Sequence, residues 1–160
     1  MNTTVLKTIA LLFLINIGCS KLKQIPAPVP YTYQIHFKII DHASNNLLAT
    51  VAEDELNGAV KVHSKNGTII GNKTFVKSYN EEKLLTILVS SQRDTFLESI
   101  DYTIDKTSLT GSTSPISFNV TWHEVKNSAS VKNVYLDTQE IQATQHAGTT
   151  SFVYYLFTRP

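Results

Sequence analysis

Tyr31-Thr32-Tyr33-Gln34-Ile35-His36-Phe37-Lys38-Ile39 puts an apolar residue at every odd position and a polar one at every even position. A period of two marks a strand with one face in a core and the other in water. Ile116-Ser117-Phe118-Asn119-Val120-Thr121-Trp122 repeats the pattern without a fault, and residues 99–105 alternate with Ile100, Tyr102 and Ile104 on one side. Residues 84–89 form a dense apolar run, which predicts a central strand buried on both faces. Shorter runs at 47–51, 59–63, 68–70, 74–79 and 131–136 add further strands, and 151–158 closes the set with β-branched and aromatic residues on both faces. Asn66-Gly67 stands between two of these runs and predicts a type I′ hairpin there. Residues 41–46 and 107–115 have turn and loop chemistry, and residues 93–98 form the one short helical candidate. Eight to nine strands with regular turn signals and no long helix predict an all-β antiparallel β-sandwich. No repeat of fixed period supports a propeller or solenoid.

Upstream of this domain the chain changes character. Residues 9–17 are an apolar run preceded by Lys7 and interrupted by Asn16. It fits the roughly 7–15-residue apolar region of an export signal and is too short for the about 20 residues of a membrane span. Residues 20–30, Ser-Lys-Leu-Lys-Gln-Ile-Pro-Ala-Pro-Val-Pro, carry three prolines that fix φ and remove backbone donors, so this stretch favours extended polyproline II. The organisation predicted is a signal over 1–18, a cysteine and proline-rich tether over 19–30, and a sandwich domain over 31–160.

Gly18-Cys19-Ser20 resembles the lipobox of bacterial lipoproteins, and Cys19 is the single cysteine of the chain. The resemblance implies lipidation of Cys19, cleavage before it, and a membrane-lipid partner through that residue. Two or more acyl chains make such an attachment stable. The alternative is an ordinary signal cut after Ser20, which gives a secreted protein. Either cut leaves at most one cysteine, so the domain holds together without an internal disulfide. Ile35 to Leu48, with its Ile-Ile-Asp-His-Ala-Ser-Asn-Asn-Leu-Leu ending, is similar to the opening of small Bacteroidetes-type lipoproteins. Val120 to Ile141, with Trp122 and Val134-Tyr135-Leu136, is similar to their later strands. That resemblance implies an Ig-like or transthyretin-like sandwich with no assigned activity. Surface-exposed members carry acidic residues after the cysteine, and residues 20–30 have none, which favours an outer-membrane protein facing the periplasm.

Without the signal, 13 basic residues balance 13 acidic ones. A balanced surface with no basic, aromatic-interleaved cluster argues against a nucleic-acid partner. The five histidines, His36, His42, His63, His123 and His146, lack the close spacing of zinc ligands. His36, His63 and His123 fall in the polar phase of alternating strands and are expected to be solvated cross-strand partners. Glu53-Asp54-Glu55 has the acidity of a calcium loop without its phase. No Gly-x-Ser-x-Gly or Ser-x-x-Lys motif is present. No catalytic residue, metal ligand or cofactor follows from these patterns. Trp122 is in phase with Ile116, Phe118 and Val120 and is expected in the core. Tyr154 and Tyr155 point to opposite faces of the last strand, which makes them the candidate binding aromatics. The leading expectation is a noncatalytic binding or structural module for a protein or glycan partner at the bacterial envelope. The alternative is an envelope enzyme or metal-dependent protein whose site comes from distant strands, such as His63 with Glu53 or Asp54.

Overall fold

The perfect alternator becomes the middle of a sheet. In the computed structural model, which describes residues 29–52, 56, 58–105, 109, 114–126, 128–145 and 153–158, β1 spans Thr32–Ile40. Its odd residues Tyr33, Ile35, Phe37 and Ile39 are all buried in the core. Nine more strands follow: β2 (Val60–His63), β3 (Ile69–Tyr79), β4 (Glu82–Ser91), β5 (Ser99–Ile104), β6 (Ile116–Val125), β7 (Ser128–Leu136), β8 (Gln139–Ile141), β9 (Ala143–Gln145) and β10 (Val153–Thr158). They form two five-stranded sheets, ordered β3-β4-β1-β10-β9 and β2-β5-β6-β7-β8. The all-β sandwich expected from alternation is the fold observed. Every strand pairing is antiparallel except β1 with β10, which runs parallel over Phe37↔Tyr155 to Ile40↔Thr158.

Among the described residues, 139–145 add two short edge strands that the alternation did not single out, β8 in the second sheet and β9 in the first. With Ile141 as its only large apolar residue, Gln-Glu-Ile-Gln-Ala-Thr-Gln carries no alternation to read. This stretch closes one side of the sandwich by changing sheets. On the other side, Asn72 of β3 donates a hydrogen bond from Nδ2 to the Val60 carbonyl of β2 at 2.7 Å.

Three local expectations are corrected. Asn66-Gly67 is not a hairpin, because β2 and β3 lie in different sheets. Neither residue has the positive φ that a type I′ turn requires. Gly67 is instead a point of close approach: a Cβ there would lie 2.6 Å from Leu97 Cδ2 and 2.7 Å from Thr95 Cγ2. Residues 93–98 are not helical. Asp94 takes φ 58°, Gln92 donates its N–H to Thr68 O, and Leu97 is fully buried with its N–H donated to the Tyr33 hydroxyl at 2.6 Å. The segment is a plug over one end of the sandwich. Residues 47–51 are turns rather than a strand, organised by Asn46, whose Oδ1 accepts the Leu48 N–H and whose Nδ2 reaches Lys83 O.

Aromatic rings join the sheets. Phe37 of the first sheet meets Phe118 of the second edge-to-face at 4.8 Å, and Phe118 stacks on Tyr102 at 5.0 Å. Trp122 is buried, as its phase predicts, and lies edge-on to Tyr33 at 5.1 Å. Burial pushes the Tyr102 hydroxyl far above the ordinary phenol range, with the Tyr33 hydroxyl adding to this and the Trp122 indole opposing it. Neither the Tyr102 hydroxyl nor the Trp122 indole N–H reaches full hydrogen-bond geometry with any described residue, and both are shut away from solvent.

Candidate functional site

Alternation that sends Ile100, Tyr102, Phe118 and Val120 inward sends Ser99, Asp101, Thr103, Ser117, Asn119 and Thr121 to the outer face of the second sheet. Register aligns them in rows across the strands. One row runs His63, Asp101, Asn119, Tyr135 and Glu140; the next pairs Lys61, Thr103 and Ser117; a third pairs Ser99, Thr121 and Asn133. Direct cross-strand neighbours are close enough to hydrogen-bond. Asn119 Nδ2 donates to Asp101 Oδ1 at 2.6 Å and to Ser99 Oγ at 2.7 Å. Thr103 and Ser117 share a hydrogen bond of 3.1 Å, and Asn133 donates to Glu140 at 2.7 Å.

These bonds hold short polar side chains in one orientation. They leave the Asn119 side-chain oxygen and the second Asp101 oxygen without a hydrogen bond from any described residue. Beside them Tyr135 is half-buried, its ring flanking a shallow groove of about 280 Å³ with Asp101, Thr103, Ser117, Asn119 and Asp137. The groove carries negative charge from Asp101 and Asp137, with Glu140 at its end. Lys61, the nearest lysine in these rows, is paired to Asp105 at 2.8 Å. Among the described residues no three His, Cys, Asp or Glu side chains converge as a metal site.

A second concavity, about 560 Å³, opens at the far end of β5 and β6. Phe96 and Trp122 form its apolar floor, and Glu98, His123, Glu124 and Lys132 stand around it. A bulge shapes it: β6 and β7 pair Thr121 with Asn133 and then Trp122 with Val131, so Lys132 is the additional residue and is turned out of the ladder. The plug is tied to this end by the Trp122 N–H, which donates to Glu98 O at 2.8 Å. Tyr31 closes the corner, its hydroxyl donating to the Glu124 carboxylate and its ring edge-on to Phe96 at 5.5 Å. That hydrogen bond raises the Tyr31 hydroxyl above the ordinary phenol range.

The residues singled out from sequence are distributed differently. Tyr155 is 8 % exposed and belongs to the core, 6.1 Å from Phe37, and burial raises its hydroxyl pKa. Tyr154 pairs with Thr144 in the ladder, and its side chain lies outside the described residues, as do Cys19, Glu53, Asp54 and His146. His63 and His123 are exposed, and His123 meets its cross-strand neighbour Ser130 at 2.9 Å, as the polar phase predicts. His36 is the exception. It is 9 % exposed, with Nδ1 2.9 Å from Thr86 Oγ1, Nε2 2.9 Å from Gln34 Nε2, and the Tyr79 ring edge-on at 5.4 Å. Burial, with Lys77 adding to it, lowers its pKa to about 4.

No family model, no curated protein and no solved structure matches this chain. The site therefore stands on its own geometry. Its residues were legible in one respect: Ser99-x-Asp101-x-Thr103 and Ser117-x-Asn119-x-Thr121 place matched hydrogen-bonding side chains on one phase of two strands. Tyr135 had no such signal, because β7 does not alternate cleanly.

Proposed function

We propose that this chain is an exported, lipid-anchored module of the bacterial envelope that binds a glycan on the outer face of its second sheet. The observation that carries the reading is the row of Asp101, Asn119 and Tyr135, a fixed carboxylate and amide beside an aromatic ring. Sugars present hydroxyl donors and acceptors together with apolar C–H faces. Amide and carboxylate oxygens with spare acceptor capacity, next to a tyrosine ring, match both. A protein partner would favour an apolar, aromatic centre depleted in Ser and Asp, which this face lacks. The local excess of carboxylates disfavours polyanions, nucleic acid included. Gly18-Cys19 and the apolar run before it support export and lipidation, and the proline-rich tether supports a domain held off the membrane. Kinship with the small Bacteroidetes-type lipoproteins and an outer-membrane, periplasm-facing location belong to the same proposal.

The test is titration of the mature protein with a panel of uncharged and charged oligosaccharides, followed by amide chemical shifts. Binding of an uncharged glycan with shifts at 99–103, 117–121 and 135, weakened at least tenfold by Tyr135→Ala, is expected; tenfold corresponds to about 1.4 kcal/mol. Unaltered affinity in Tyr135→Ala, or shifts confined to the first sheet, would refute the site. Protease shaving of intact cells that releases the domain would refute the periplasmic orientation.

A further inference from the structure

The concavity floored by Phe96 and Trp122 lies where the tether joins the domain. Tyr31 follows Pro30 directly, and it touches two of the lining residues, Phe96 by its ring and Glu124 by its hydroxyl. Val29 is exposed and Pro30 half-buried at the same corner. The ten residues before Tyr31 include Pro26, Pro28 and Pro30 and two cations, Lys21 and Lys23. The wall holds two carboxylates, Glu98 and Glu124, over an aromatic floor. Aromatic-lined grooves take polyproline II segments because the peptide is already extended and loses little entropy on docking.

We infer that this concavity is the docking site of the chain's own proline-rich segment, with the prolines on the half-buried Phe96 ring, above the buried Trp122, and Lys21 or Lys23 beside Glu98 and Glu124. Proximity makes weak contacts sufficient. Direct attachment at Tyr31 gives an effective concentration of roughly millimolar, so an intrinsic affinity near about 1 mM, or about −4 kcal/mol, keeps the segment seated half the time. Lys132, displaced outward by the bulge, sits on the same rim and repels the lysines, which directs them to the Glu98 and Glu124 side. Docking fixes the angle at which the domain leaves its anchor. The inference is independent of the glycan reading, since it uses a different part of the surface.

Zero-length carbodiimide coupling of the full chain, as purified from producing cells in detergent, tests it by peptide mapping. The expected product is an amide link from Lys21 or Lys23 to Glu98 or Glu124 within one molecule, as shown by mixing unlabelled and ¹⁵N-labelled protein. Pro26→Ser with Pro28→Ser leaves both lysines and the whole domain intact, and it is expected to lower the yield at least fivefold. The same variant should shift the indole resonance of Trp122, the chain's single tryptophan. No link, or equal yield in the proline variant, overturns the docking. Links found only between labelled and unlabelled molecules also overturn it and assign the groove to a second copy.

Discussion

Acid should destabilise this protein through His36, and the size of the effect follows from its surroundings. The Gln34 amide nitrogen faces Nε2, which makes Nε2 the acceptor and leaves Nδ1–H to donate to Thr86 Oγ1. A second proton would have to sit on Nε2, against an amide N–H, in a site with little access to water and facing the Lys77 charge of β3. Lys38, in the same phase of β1, is itself paired with Glu82 at 2.7 Å. The folded pKa of about 4 lies below the 6.5 of the unfolded chain, so the unfolded state takes up the proton first as pH falls. Stability is then full above about pH 6.5 and declines between 6.5 and 4, by about 3 kcal/mol in total at 1.36 kcal/mol per unit of pH. Urea unfolding at pH 7, 6, 5 and 4, followed by Trp122 fluorescence, measures it. His36→Gln removes the titration. Whatever its stability at pH 7, the variant should lose about 3 kcal/mol less than the parent on going to pH 4. Parallel pH profiles for the two proteins would refute the argument, whatever the absolute values.

Other substitutions read other parts of the structure. Tyr102→Phe removes a buried hydroxyl that makes no full hydrogen bond with any described residue, so its unfolding free energy should stay within about 1 kcal/mol of the parent or rise. A loss of several kcal/mol would mean the hydroxyl is bonded. Gly67→Ala forces a methyl against Leu97 and Thr95 and should cost about 1–3 kcal/mol in denaturant titration, whereas a neutral result would show that the plug yields. Asn72→Ala strands the Val60 carbonyl and should cost about 1–3 kcal/mol, with faster amide exchange along β2. Phe37→Ala opens the junction between the sheets and should cost about 3–5 kcal/mol, the largest of this set by thermal or urea unfolding.

The strands most legible in the sequence were those whose alternation is complete, β1 and β6, because a half-buried strand leaves its mark on every residue. Alternation names a face but not what covers it. His36 lies in the polar phase of β1, yet β1 is flanked by β4 and β10, and Tyr79 of β3 reaches over the outer side. Neighbours far along the chain decided its burial. Asn66-Gly67 failed for a related reason: the dipeptide permits a tight turn, but the pairing of β2 with β5 and of β3 with β4 takes the chain across the sandwich instead. The candidate site was half visible, in the matched Ser-x-Asp-x-Thr and Ser-x-Asn-x-Thr phases. Their alignment with Tyr135 depends on register, which no local pattern contains.

The pairing of the first strand with the last sets the order in which the protein can come into being. All five strands of the second sheet end by Ile141, so that sheet can form while the chain is still being delivered. β1, made first, must wait for β10, the last strand, to fill the gap between it and β9. Until then Phe118, Val120 and Trp122 face an unfinished lid. Pairing across so long a separation in sequence is slow, on the millisecond-to-second scale of sandwich folds. A chain that threads a membrane amino-terminus first, as proposed here, gains from this delay: the first sheet closes only after β10 has crossed.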